Sequence, residues 1–208
     1  MTDPTTTLPT AETRLLGGIS STFRTNPYTG GHLQVADAHG ARVTTVDGRE
    51  YIDMFMAHGS TIVGHGHPVV MGAVRDALDD GVAIGYETAR AEPVAEAIAS
   101  LVPSAEAVRF VASGSEAVTT ALRIARAVTG RDVIVKIDGH YHGGSDYAMV
   151  NSLAANTDPD NPGGQISRRI PSSGGIPDAA VEAVVPIPWN DLDALDAALT
   201  ANAGRVAA

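Results

Sequence analysis

Two glycine-bearing segments carry the residue types best suited to hold an anion and a flat heteroaromatic ring. The first is Ser113-Gly114-Ser115-Glu116-Ala117, at the junction of a short apolar run and a long helical pattern. The first N–H groups of a helix have no intrahelical acceptor and lie at the positive end of the helix dipole, so a helix start of this kind favours a phosphate-like group. Gly114 lets the backbone approach such a group where a side chain would obstruct it, and Ser115 adds a hydroxyl donor. The same residues also spell a capping box, with Ser113 at the N-cap and Glu116 reaching back, and that device stabilises a helix without any ligand. No Gly-Lys-Ser/Thr follows and the three-glycine dinucleotide fingerprint is missing, so a nucleotide is disfavoured.

The second segment is Gly139-His140-Tyr141-His142-Gly143-Gly144, directly after the β-branched run that ends at Ile137. That places it at the carboxyl edge of a parallel sheet, where open α/β proteins bind their ligands. Tyr141 can lay its ring against a heteroaromatic, and His140 and His142 offer donors or a titratable nitrogen. The alternative is a turn with solvent-facing histidines. His65-Gly66-His67 and His140-Tyr141-His142 both read His-x-His, but no carboxylate or third histidine stands at a recognisable ligand spacing, so no metal site is expected. Lys136 is the only lysine and lies inside the run before Tyr141; a structural role is expected, with its ammonium reaching outward to water.

The elements that must position these residues alternate along the chain. Arg42–Val46 and Arg49–Ile52 flank Asp47-Gly48, a hairpin signal of type I′. Pro68 opens a helix with Val70, Val74, Ala77 and Leu78 on one face, closed near Gly81. A second helix runs from about Glu92 to Leu101, and Ala107–Ala112 reads as a short buried strand. A helix over Ser113–Val128 closes at Gly130, and Val133–Ile137 reads as the next strand. This β-α-β order implies parallel strands. Asn151–Pro177 is Gly- and Pro-rich without apolar periodicity, the mark of a functional or mobile loop. Val181–Ile187 is expected as a strand, then a helix capped at Asn190 or Asp191 with Leu192, Leu195, Ala198 and Leu199 inward, and Val206–Ala208 begins another strand.

Bulk properties narrow the class. The chain has 208 residues, 44% hydrophobic and 4% aromatic, a globular composition. A formal net charge of −10 argues against a nucleic-acid partner, which needs clustered Lys and Arg on phosphates. Without cysteine there is neither a disulfide framework nor a thiol nucleophile. No apolar run is long enough to span a membrane, and Met1–Thr13 lacks the features of a signal peptide, so a cytoplasmic location is expected.

Taken in order, these segments resemble the class III aminotransferases, within them the branch that contains glutamate-1-semialdehyde aminomutase. The resemblance rests on Val46-Asp47-Gly48-Arg49-Glu50-Tyr51-Ile52-Asp53, Gly64-His65-Gly66-His67-Pro68, and Val108-Arg109-Phe110 leading into Ser113–Ala117. It continues through Ala121-Leu122-Arg123-Ile124-Ala125-Arg126, Thr129-Gly130-Arg131 and Gly139–Gly143. The resemblance implies an α/β, fold-type I pyridoxal-phosphate-dependent transferase, with an incomplete large domain of mostly parallel sheet and a small N-terminal antiparallel segment. It implies pyridoxal 5′-phosphate as cofactor, with Ser113, Gly114 and Ser115 at its phosphate, Tyr141 stacked on its ring and His142 beside the ring. Ser21-Thr22-Phe23-Arg24 is similar to the branch's arginine segment, so Arg24 would clamp a substrate carboxylate, the alternative being a solvated surface charge. The expected organisation is a tail over 1–16, a small-domain segment over 17–63, and over 64–208 the first part of a cofactor-binding large domain. The family's cofactor-holding lysine and the aspartate for the pyridine nitrogen have no counterpart here. The chain alone is therefore expected to be inactive in amino-group transfer or isomerisation of small amino and keto substrates, with a homodimer for the complete enzyme. The competing expectation is a short protein that binds the cofactor or a phosphate without chemistry, or serves as an interaction subunit.

Overall fold

The computed structural model describes residues 14–24, 32–81, 85–152 and 168–208. It divides into two compact units, Met1–Thr88 and Ala89–Ala208.

The first unit is built on a three-stranded antiparallel sheet of β1 (Val35–His39), β2 (Arg42–Thr45) and β3 (Glu50–Ile52), with β2 in the middle. The hairpin expected around Asp47-Gly48 is present, but its turn differs. Only Gly48 has positive φ, at 83°. The Gly48 N–H donates to the Thr45 carbonyl and the Thr45 N–H to the Arg49 carbonyl, both at 2.9 Å. This is a type I turn followed by a left-handed glycine rather than type I′. The Asp47 carboxylate fixes it by accepting from the Thr45 hydroxyl and from Arg49 Nε, so both flanks of the turn are bound to one side chain. β1 carries Asp37 and His39, poor strand formers, and has no sequence signal of its own; pairing with β2 creates it. α1 (Pro68–Asp79) follows with Pro68 at its first turn, as the fixed proline φ allows. Its apolar face at Val70, Val74 and Leu78 is exposed within this unit.

The second unit holds α2 (Ala91–Leu101), α3 (Gly114–Thr129), β4 (Ile134–Ile137), α4 (Asp178–Glu182), β5 (Val184–Ile187) and α5 (Leu192–Ala201). β4 and β5 pair in parallel, Ile134 to Val184 through Ile137 to Ile187, and a parallel bridge from Val133 to Val206 adds a further backbone segment beside β4. The architecture is therefore α/β, with antiparallel pairing in one unit and parallel pairing in the other. Val133, Ile134, Ala148, Val150, Val184 and Ile187 bury their side chains around the β4–β5 pair, which fixes the register from which the neighbouring loops project.

Two expectations are corrected. Residues 107–112 form no strand; Phe110 and Val111 are exposed, and without a ladder partner among the described residues an apolar run does not become a strand. The segment before β5 is divided as well, since residues 178–182 are helical and the strand begins only at Val184.

Candidate functional site

α3 begins where the sequence places it. The Ser113 hydroxyl accepts from the Glu116 N–H at 3.2 Å, and the Glu116 carboxylate turns back to accept from the Ala112 N–H at 2.7 Å. The capping arrangement is thus real, but it uses only part of the helix start. The N–H groups of Gly114 and Ser115 have no acceptor among the described residues, and a side chain built on Gly114 would meet nothing within 4 Å. The cap fixes the first turn and leaves these two donors without an acceptor among the described residues, with open space at Gly114.

The second glycine segment arrives at the same point from the end of β4. Gly143 has φ of 103°, and a Cβ there would lie 2.7 Å from the Ser115 Cα and 2.8 Å from its Oγ. No residue with a side chain permits that approach without displacing the backbone. The Gly144 N–H donates to the Ser115 Oγ at 3.0 Å, so Ser115 holds the loop through its side chain while its own amide stays available. Ser115, Glu116, Thr119, Arg123, Gly144 and Ser145 are among the residues lining a cavity of about 500 Å³ alongside this junction.

Tyr141 and His142 lie one and two residues before that contact. Tyr141 is 45% exposed, with its ring accessible. The His142 imidazole is held below the usual histidine range, first by desolvation and then by the positive charges of Lys136 and His140. Trp189, just past the carboxyl end of β5, places its ring 5.0 Å from His140 at a 39° tilt. Sequence reasoning missed it, although the single tryptophan of the chain follows a strand whose carboxyl end borders the candidate site.

Lys136 departs from expectation. It is 6% exposed rather than reaching outward, and its Nζ donates to the carbonyls of Ile137 at 3.2 Å and Asn151 at 3.0 Å. Burial lowers its pKa to about 8, with Asp138 opposing the shift. The feet of the Asn151–Pro177 loop are tightly held, since Asn151 and Ser152 are buried and Val150 bridges Pro171; residues 153–167 lie outside the described residues.

Of the expected site residues, Ser113, Gly114, Ser115, Tyr141 and His142 belong to one unit, where Gly143 brings their two segments into contact. Arg24 belongs to the other unit, exposed at the end of the 3₁₀ turn Thr22–Arg24. Of the histidine pair at 65 and 67, His65 has a local structural partner, whereas the buried His67 Nδ1 has no hydrogen-bond partner among the described residues. His65 Nε2 lies 2.7 Å from the Asp53 carboxylate, which also accepts from the Phe55 and Met56 amides and is thereby kept below the usual carboxylate range. His67 is the residue preceding α1. Among the described residues no three His, Asp or Glu side chains converge on a point, and no helix is long and apolar enough to cross a membrane.

Comparison with known proteins adds to this geometry. The glutamate-1-semialdehyde 2,1-aminomutase of Anaeromyxobacter dehalogenans is 38% identical over 193 residues, covering 92% of this chain and 43% of the relative. An omega-transaminase from Sphaerobacter thermophilus superposes with a TM-score of 0.84 at 34% identity, over 94% of this chain and 43% of that one. A transaminase solved with PLP bound superposes with a TM-score of 0.81 at 35% identity, over 93% of this chain and 43% of that one. The chain thus spans well under half the length of the relatives it matches. The family profile of the class-III aminotransferases matches residues 24–167, a stretch that contains the helix start, the glycine loop packed on it and the hairpin with its Asp-Gly turn, so the chain belongs to the class-III aminotransferase family.

Proposed function

We propose that the Ala89–Ala208 unit carries the phosphate- and ring-binding part of a pyridoxal 5′-phosphate site, serving amino-group transfer on small amino and keto substrates, either between molecules or within one as in an aminomutase. The observation that carries the reading is the close packing of Gly143 on Ser115, which puts an aromatic loop and a helix start with two unoccupied amides at one point. A phosphorylated heteroaromatic ring matches that pair of features: an anion for the amides and a flat face for Tyr141. The relative solved with PLP bound, 35% identical, supports the same choice.

In this reading the N–H groups of Gly114 and Ser115 bind the phosphate, aided by the α3 dipole, while the Glu116 carboxylate is turned away to the Ala112 amide and does not oppose it. Ser113 keeps the first turn in register through its bond from the Glu116 amide. Tyr141 covers one face of the ring, and His142, its imidazole biased toward the neutral form by desolvation and by Lys136, lies beside it as a donor or acceptor. When bound, the cofactor supplies an electron sink for the carbanion formed as an amine is exchanged. Arg24 is assigned to a substrate carboxylate, which its planar guanidinium can grip with two parallel bonds. Residues 1–16 are assigned to a tail, 17–63 to a small-domain segment and 64–208 to the first part of the cofactor-binding domain, with the complete enzyme assigned as a cytoplasmic homodimer.

The only lysine of the chain is committed to two backbone carbonyls, so we infer that this chain binds the cofactor without turning over substrate. The same observation favours a second reading, in which the chain is a binding protein without chemistry. Titrating the 208-residue protein with pyridoxal phosphate, with inorganic phosphate as competitor, followed by borohydride reduction and peptide mass mapping, tests both. Phosphate-competed binding with no adduct at Lys136 is expected. An adduct at Lys136 accompanied by turnover refutes the assignment of that lysine, and absence of phosphate-competed binding refutes the site.

A further inference from the structure

We propose that Lys136 is a positioning residue for this site, its Nζ tying together the two ends of the loop that carries Tyr141, His142 and Gly143. The proposal rests on the reading of the site given above and adds what holds its aromatic half in place. The loop leaves β4 at Ile137 and returns at Asn151, and the Lys136 ammonium donates to the carbonyls of both residues. Asn151 is the other half of the clamp. Its carbonyl also accepts from the Gly139 N–H at 2.8 Å, and its side-chain amide donates to the Asp138 carboxylate at 2.8 Å. Its side-chain oxygen accepts from the Ile170 N–H at 2.8 Å, and its backbone adopts φ of 50°, a left-handed conformation that asparagine tolerates better than most residues.

Lys136, Asn151 and Ser152 are the buried polar residues of this unit among the described residues, and a buried ammonium is retained only where it finds acceptors. Here the acceptors are the two feet of one loop, so removing the ammonium acts on the loop first, while the hydrogen bonds of the α3 start do not involve Lys136. The α3 cup is held by other bonds, those of Ser113 with Glu116 and of Glu116 with Ala112. Lys136 and His142 also line a common cavity of about 250 Å³, so the charge that closes the loop acts on the imidazole that the loop presents. Among the described residues, the charged groups acting on His142 are Lys136 from β4 and His140 from its own loop.

The two halves of the site therefore respond differently to Lys136→Met. The 208-residue protein is titrated with pyridoxal phosphate and, separately, with inorganic phosphate, using the emission of Trp189 and calorimetry, and the His142 ring is titrated by NMR. In Lys136→Met the Kd for pyridoxal phosphate rises about tenfold or more while that for phosphate changes less than about twofold, and the His142 titration moves up. Should far-UV circular dichroism show that this variant does not fold, Asp138→Ala, which removes the acceptor of the Asn151 amide and leaves Lys136 in place, carries the same expected ratio. Equal losses for both ligands, an unchanged Kd for pyridoxal phosphate, or an unmoved His142 titration overturns the proposal. Wild-type protein that binds neither ligand overturns the reading of the site itself.

Discussion

Replacing Gly143 by alanine puts a Cβ 2.7 Å from the Ser115 Cα, 3.0 Å from its Cβ and 2.8 Å from its Oγ. Two of these atoms are fixed by the first turn of α3, so the helix start or the loop must move. The substitution also places an L side chain at φ of 103°, outside the region such residues adopt, a strain of about 1–3 kcal/mol. Forcing a methyl group into a closed contact adds about 1–3 kcal/mol. Together the two effects amount to about 2–6 kcal/mol, a large share of the 5–15 kcal/mol that keeps a typical domain folded. If the molecule unfolds rather than rearranging, an m-value of about 2 kcal/mol/M lowers the urea midpoint by about 1 M or more. If the loop yields instead, affinity for pyridoxal phosphate falls by roughly thirtyfold even at the lower bound. The control is Gly144→Ala, one residue on, where an added Cβ meets no atom within 4 Å and φ is not positive. That variant stays within about 1 kcal/mol of the parent. Urea denaturation of both variants beside a cofactor titration decides the matter. If Gly143→Ala matches Gly144→Ala in midpoint and affinity, the loop does not pack on the helix start and the site as described is wrong.

Two further outcomes follow from single groups. Ser113→Ala removes the acceptor for the Glu116 amide and lowers stability by about 1 kcal/mol in urea denaturation, and an unchanged midpoint rules out the cap as a contributor. Lys136 has its pKa depressed to about 8 from 10.5 by burial, so between those values the unfolded chain binds more protons than the folded one and stability rises with pH across that window. The Lys136→Met variant loses this rise, and equal slopes of wild type and variant in urea melts from about pH 8 to 10.5 refute it.

Much of the local structure was legible in the residues. Ser113 and Glu116 encode the start of α3, Pro68 the start of α1, Gly130 the end of α3 and Asp191 the cap of α5, because each signal is a side chain bonding or fitting backbone within four residues of itself. The glycine segment was legible as the loop leaving a strand for a similar reason, lying directly after a β-branched run. The Asp47-Gly48 turn was read correctly as a hairpin and incorrectly in type, since Asp47 keeps negative φ once its carboxylate bonds Thr45 and Arg49. The apolar run at 107–112 looked like a strand because composition reports hydrophobicity, whereas a strand also requires a hydrogen-bonding neighbour. Whether Ser115 and Gly143 touch, whether Lys136 turns inward to Asn151, and whether Trp189 reaches His140 were decided only by tertiary structure. The partners in these contacts lie between 15 and 49 positions apart in the chain, and no local propensity links them. They meet because β4 and β5 pair in parallel with one register, which sends the loops after both strands to the same edge of the sheet and buries Lys136 beneath them.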